Sequence, residues 1–512
     1  MAMGKRLMVS VAAWGLAASI GGGGSAQAAW RKAESDHFIV YGRSDKIVRE
    51  YATMLEDFDD LLRTVHGRAK VETTPVRKLP IYLAPTQTEL RRILPSANGY
   101  IAGFYSPTVT DVFAVVIKTE SNEGDWNKGD DFALHEYVHH FMMQYYSNAY
   151  PAWLSEGYSE YYMTASLESD RRVIGDFNRA RALSLLEPGM VWHPIEDILR
   201  KRPGELGKWN GPIYYAQSWV LTHYILSDPQ RQALLPRYLE VVRGGRDPVA
   251  AWKDVFGDDP DALTDKLRRY LNRSLQVKVL PRPQRFTARM TITALPSAAD
   301  DLLLDAQRLK LGVEKEDRPK LLASIRSDAA KAPNDRFARL VLARAEVFIG
   351  DRAQGQAILT ALLAANPNDE EALILLGESH LANGYEDEAR RAVAFAEAGK
   401  LFVRAFKINP DNPATLHGYA DARALEPLTD NLVNVRLRAV ELAPQISHLR
   451  LDAAQALIEK KRFDAARTVL IPLASNPHGG GDVDTARTLL RSLPPEAALA
   501  TKPEGDKKAS GG

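Results

Sequence analysis

The chain contains no cysteine. That excludes thiolate metal ligands, a cysteine nucleophile, a disulfide frame and a lipidated cysteine anchor. It also has almost no net charge: 66 Lys and Arg stand against 65 Asp and Glu, a formal +1. A near-neutral chain gives no reason to expect nucleic acid or an anionic membrane surface as partner. Past Ile20 no apolar run approaches the roughly 20 residues that span a bilayer. A phosphate loop with G-K-[ST], a G-x-S-x-G elbow and a calcium loop are absent as well. What is present is globular composition, 45% hydrophobic and 26% charged over 512 residues. That length predicts two or three domains.

The N-terminus reads as an export signal. Lys5 and Arg6 precede the apolar stretch Leu7–Ile20, Gly21–Gly24 interrupt it, and Ala26-Gln27-Ala28 offers a small-residue cleavage site. Residues 1–28 are expected to be removed, leaving a soluble periplasmic or secreted chain with no membrane span.

Residues 29–275 predict an α+β domain. Strand signals fall at Ser35–Tyr41, Pro80–Leu83, Tyr100–Tyr105 and Asp111–Ile117, and helical spacing at Asp45–His66 and Thr86–Leu94. From Asp131 helices dominate: to Tyr146, then Pro151–Ser166, Tyr214–Leu226, Pro229–Arg243 and Pro260–Leu275. Residues 276–296 are proline-marked and read as a connector between two separable halves. In residues 297–493, Pro333, Pro367, Pro410, Pro444 and Pro477 close Ala/Leu-rich amphipathic segments at spacings of 34, 43, 34 and 33. A period near 34 marks tetratricopeptide-type helix pairs, an all-α solenoid with a concave face for a protein partner. Residues 494–512 are expected to be a disordered tail.

Ala133–Met143 reads ALHEYVHHFMM. Within it, His135 and His139 of an H-E-x-x-H motif lie four apart on one helix face, so both imidazoles can reach one Zn²⁺ at about 2.0–2.1 Å. Glu136 is turned by about 100°. It flanks the cation, where a carboxylate can act as catalytic base. Pro151–Tyr162 reads PAWLSEGYSEYY. Glu156, on the next helix after a gap of 16 residues, is the candidate third ligand. Glu160 is one turn further and can accept from the far ring nitrogen of a ligand histidine. His140 points off the ligand face and reads as a surface or packing histidine. His37, His66, His193, His223, His380, His417, His448 and His478 show no ligand spacing.

H-E-x-x-H followed by W-L-x-E-G resembles the gluzincin clan of zinc peptidases, and the whole is similar to bacterial peptidase-like domains joined to tetratricopeptide repeats. The resemblance runs from Trp30 to Leu275 and is specific at His135–His139 and Trp153–Gly157. It implies a zincin-like fold, one Zn²⁺ on His135, His139 and Glu156, and Glu136 as base. The aminopeptidase branch carries W-L-N-E-G-F-A here, with a gap two residues longer. That branch also has a tyrosine in a Y-x-K-G pattern that stabilises the oxyanion. Tyr214–Leu221 (YYAQSWVL) is similar, with Tyr215 at the matching position, Ser218 in place of glycine and no lysine. The branch's G-x-M-E-N motif has no counterpart. Gly99–Phe104 (GYIAGF) lies at a comparable place as an edge strand for extended peptide, without a carboxylate to hold an amine. The expectation is an exported zinc peptidase acting on a peptide or protein substrate, with the repeats recruiting substrate or partner. The alternative is a catalytically silent member serving as a tetratricopeptide scaffold in the envelope.

Overall fold

The computed structural model describes residues 29–68, 77–97, 101–118, 128–207, 211–273, 275–282 and 284–495. The expected signal and residues 496–512 of the expected tail lie outside them, as do Gly99 and Tyr100. The chain opens with β1 (Arg31–Glu34), β2 (Phe38–Gly42), α1 (Asp45–Val65), β3 (Leu79–Ala84), α2 (Gln87–Ile93), β4 (Gly103–Pro107) and β5 (Val112–Ile117). Next come α3 (Lys128–Tyr145), α4 (Ala152–Tyr162), β6 (Ser166–Leu167), β7 (Arg171–Ile174), α5 (Arg179–Leu186) and α6 (Ile195–Arg200). Then follow α7 (Gly211–Leu226), α8 (Pro229–Arg243), α9 (Pro248–Phe256), α10 (Pro260–Leu271), β8 (Lys278–Pro281) and β9 (Thr291–Ala294).

Local chemistry explains the boundaries. Ser44 caps α1 by accepting from the Ile47 amide, and Asp45 sits favourably in its first turn. Asp228 and Asp247 cap α8 and α9, each followed by a proline whose missing N–H costs nothing at a helix start. α4 stops at Tyr162, short of the expected Ser166, because the Thr164 hydroxyl takes the Tyr161 carbonyl. α10 stops at Leu271, four residues early, where the Asn272 side chain donates to the Arg268 carbonyl at 2.9 Å.

Six strands form a mixed sheet in the order β4-β5-β3-β2-β1-β9, with β3 parallel to β2 and β5 and β4 at the edge. Tyr51, Leu55 and Phe58 of α1 share one core with Leu134, Val138 and Phe141 of α3. A second core joins Trp153 of α4 to Tyr214 and Trp219 of α7 and Trp252 of α9. The segment 276–296 differs from the expected connector: β9 pairs with β1, and β8 pairs with β7 in a second, three-stranded sheet. Val279, Thr291, Ile292 and Thr293 are therefore sheet residues.

The second half is an array of helix pairs. These are α11 (Ala298–Leu311) with α12 (Arg318–Ala330), α13 (Arg336–Ile349) with α14 (Arg352–Ala365), and α15 (Glu370–Glu386) with α16 (Arg391–Ile408). They continue with α17 (Pro413–Asp421) and α18 (Asp430–Leu442), α19 (Ser447–Glu459) and α20 (Phe463–Ala474), and a closing α21 (Gly481–Ser492). Each spacing proline falls two or three residues after the second helix of a pair, where its lack of an N–H bars the helix from continuing. First helices stack on one another, α11 on α13, α13 on α15, α15 on α17. Among the described residues no helix is long and apolar enough to cross a membrane.

Both ends of the array are anchored on the first half. At its start Gln307 donates to the Tyr82 hydroxyl at 2.7 Å, and Lys310 pairs with Asp111 at 2.8 Å. At its end Gln445 donates to Gln144 at 3.0 Å, and the buried Arg450 guanidinium reaches the Ser147 hydroxyl. Leu449, Leu457 and Leu470 of the last pair share one continuous core with α1 and α3. The two halves therefore share side-chain contacts and part of one core.

Candidate metal centre

α3 and α4 bring His135, His139 and Glu156 together. His139 Nε2 lies 3.2 Å from His135 Nε2, and Glu156 Oε2 lies 3.3 Å from each. A tetrahedral cation with bonds of about 2.0–2.1 Å separates its ligand atoms by about 3.3–3.4 Å. The triangle has that size. Two imidazole nitrogens and one carboxylate oxygen converge on a point, and one cation satisfies all three lone pairs, which protons shared between them do not. Glu156 is fully buried, and its Oε1 has no hydrogen bond among the described residues. A buried polar atom left without a hydrogen bond costs about 1–3 kcal/mol. The donor set fits zinc.

Gly157 makes the arrangement possible. A Cβ there would collide with the Ser218 carbonyl and the Thr222 hydroxyl of α7. Its absence lets α7 lie against α4. The Tyr215 ring then stands edge-on to His135 at 6.2 Å between centroids. Among the described residues no group bonds the Tyr215 hydroxyl. Tyr214 is different: fully buried, it donates its hydroxyl to the Lys201 carbonyl at 2.8 Å.

Glu160 stands behind His135, its Oε1 3.4 Å from Nδ1. Arg181 grips Glu160 with two bonds of 2.8 and 2.6 Å, and Asn178 adds one of 3.1 Å. Ser155 Oγ lies 3.4 Å from His139 Nδ1. Burial alone would discharge His135, but Glu156 and Glu160 hold its proton and raise it to about 10. Burial pushes the Glu156 carboxyl up, yet His139, His478 and His135 together carry it far below the usual range. Burial, then the Glu156 and Glu136 charges, raise the Tyr215 phenol, so it remains a donor.

Glu136 lines a cavity of about 460 Å³ beside the triangle, with Gly103 and Phe104 of the edge strand β4 as part of its wall. No cation pairs with Glu136 among the described residues. His140 is the packing rather than the surface alternative: it is buried, with Tyr105 Oη 2.9 Å from Nδ1 and Gln445 Nε2 3.4 Å from Nε2.

His478, which has no ligand spacing in the sequence, comes from the loop before α21 to the open side of the site. Its ring is edge-on to His139 at 5.2 Å, and its Nδ1 lies 3.6 Å from the unbonded Glu156 Oε1. Asn476 accepts the His478 amide at 2.9 Å, and Gly479 and Gly480 take φ of 73° and 105°, which favours glycine. Arg487–Glu205 at 3.8 Å and Arg202–Asp484 at 3.9 Å tie this end across the cleft. Sequence reasoning also missed Arg181 and Asn178. Both follow from an N-x-x-R pattern at the start of α5, where Asn178 caps the helix by accepting the Arg181 amide. His37, Glu56 and Asp59 also cluster, but Arg63 and the Tyr137 hydroxyl already occupy Asp59.

No protein-family model matches the chain, and no curated protein matches it. Among solved structures the chain is similar to a thermophilic TPR protein of Thermus thermophilus. Identity is 19% and the TM-score 0.32, over 38% of this chain and 98% of that one. It is also similar to the MamA RS-1 ArsTM double mutant. There identity is 15% and the TM-score 0.27, over 40% of this chain and 100% of that one.

Proposed function

We propose that the chain is an exported zinc-dependent peptidase of gluzincin type, its zincin-like half holding one Zn²⁺ on His135, His139 and Glu156. The observation that carries the reading is the triangle of donors at 3.2–3.3 Å beside an unpaired Glu136 in an open cavity. A structural site tends to fill all four positions with protein ligands. This one offers three and leaves a carboxylate free next to them. When bound, zinc polarises a carbonyl and lowers the pKa of water toward about 7. Glu136 takes a proton from the attacking water and passes it to the leaving amine. Tyr215 donates its hydroxyl to the developing oxyanion. Glu160, clamped by Arg181 and Asn178, fixes the His135 ring and raises its basicity. The repeats hold substrate or a protein partner near the cleft. The unpaired Glu136 favours this over a silent scaffold. Glu136→Gln is expected to retain one zinc and lose hydrolysis of unfolded casein. Turnover equal to wild type would overturn the mechanism. Wild-type chain that binds zinc but cleaves nothing would favour the scaffold.

A further inference from the structure

The repeat array carries a second set of converging donors. α17 contains His417-Gly-Tyr-Ala-Asp421 and α19 contains His448-Leu-Arg-Leu-Asp452. The two H-x-x-x-D pairs are 31 residues apart in consecutive first helices, so the repeat register sets them face to face. Four-residue spacing places both members of each pair on one helix face. His417 Nδ1 lies 3.2 Å from Asp452 Oδ2, and His448 Nε2 lies 3.5 Å from the same oxygen. The two rings meet edge-on at 5.2 Å. Asp421 Oδ2 stands 3.5 Å from His417 Nε2, on the far side of the ring. A carboxylate behind a histidine fixes which nitrogen is left to bind and makes it more basic. Two i,i+4 ion pairs alone would not need a carboxylate oxygen shared by imidazoles of different helices.

We propose that His417, His448 and Asp452 form a second site for a divalent transition cation, distinct from that on α3 and α4. Imidazole and carboxylate donors at these separations suit zinc or a neighbouring first-row ion. The cation pins the fourth helix pair to the fifth. His448 is 56% exposed, so a further coordination position faces solvent, where a carboxylate or imidazole of a bound polypeptide can enter.

The test is a zinc titration of the full-length chain after chelator treatment and dialysis, with His139→Ala, His448→Gln and Asp452→Asn compared. Wild type is expected to bind two equivalents, and each variant one. His448 is exposed enough for its variant to fold, which far-UV circular dichroism checks. Zinc content and affinity unchanged from wild type in either His448→Gln or Asp452→Asn overturn the proposal. Loss of one equivalent, or its weakening by tenfold or more, in both supports it. If wild type binds a single equivalent that His448→Gln removes and His139→Ala spares, this inference stands and the peptidase reading falls.

Discussion

Glu156 is the one charged donor of the triangle, and its neighbours leave it no other partner for Oε2. Glu156→Ala removes that donor and leaves two imidazoles. Partners that only orient a ligand are typically worth 10–100-fold in metal affinity. Loss of the ligand should exceed about 100-fold, read by competition with a chelator of known affinity. Unchanged affinity would put the cation elsewhere. The neighbouring tyrosines separate just as cleanly. Tyr215→Phe is expected to lower kcat by about 10²–10³ with little change in KM, because the bond forms mainly in the transition state. Tyr214→Phe loses a hydroxyl already committed to Lys201, so steady-state rates should show no matching fall. A kcat loss confined to Tyr214→Phe would reverse the assignment.

At the level of elements, the packing of α1 against the strand entrance depends on a protonated histidine. Burial alone would lower His37, but its hydrogen bond to Glu56 and the Asp59 charge raise it to about 9. The folded protein therefore holds this proton more tightly than the unfolded chain, whose histidine titrates near 6.5. The stabilisation is complete below about pH 6.5, on the order of 3 kcal/mol, and is lost as pH rises through about 9. Urea midpoints at pH 6, 8 and 10 should fall for wild type and stay flatter for His37→Gln. Equal slopes would place the titrating group elsewhere. The same scale shows what was legible in advance. His135 and His139 occupy consecutive turns, and a helix converts that spacing into shared direction, with Glu136 to one side, without help from the fold. Glu156 needed only the next helix to turn back. The proline period gave the array because each repeat solves the same packing problem. β9 and His478 were not legible, since each finds its partner more than 200 residues away and no local pattern encodes such a distance. His417 and His448 are an intermediate case. Their H-x-x-x-D spacing is local, but it acquires meaning only once the repeats are superimposed.

On the scale of the molecule, the two halves close on each other. A chain ending near Leu275 would lose β9 from the main sheet, β8 from the small one, and the leucines of the last helix pair from the shared core. Such a chain is expected to be insoluble, or to unfold without a cooperative transition, in contrast to the full-length protein. A soluble truncated chain with wild-type zinc content and peptide turnover would show those contacts to be dispensable. Closure also bears on how the protein can change over generations. An array that is free at one end can gain or lose a unit and only grow or shrink. Here the first helix pair is fixed to the sheet by Gln307 and Lys310, and the loop after the last delivers His478 to Glu156. Deleting or duplicating one unit would swing that loop by a whole repeat and withdraw the imidazole from the cleft. If that imidazole serves the proposed site, variation among descendants should collect in loop lengths and surface residues while the tally of helix pairs stays constant.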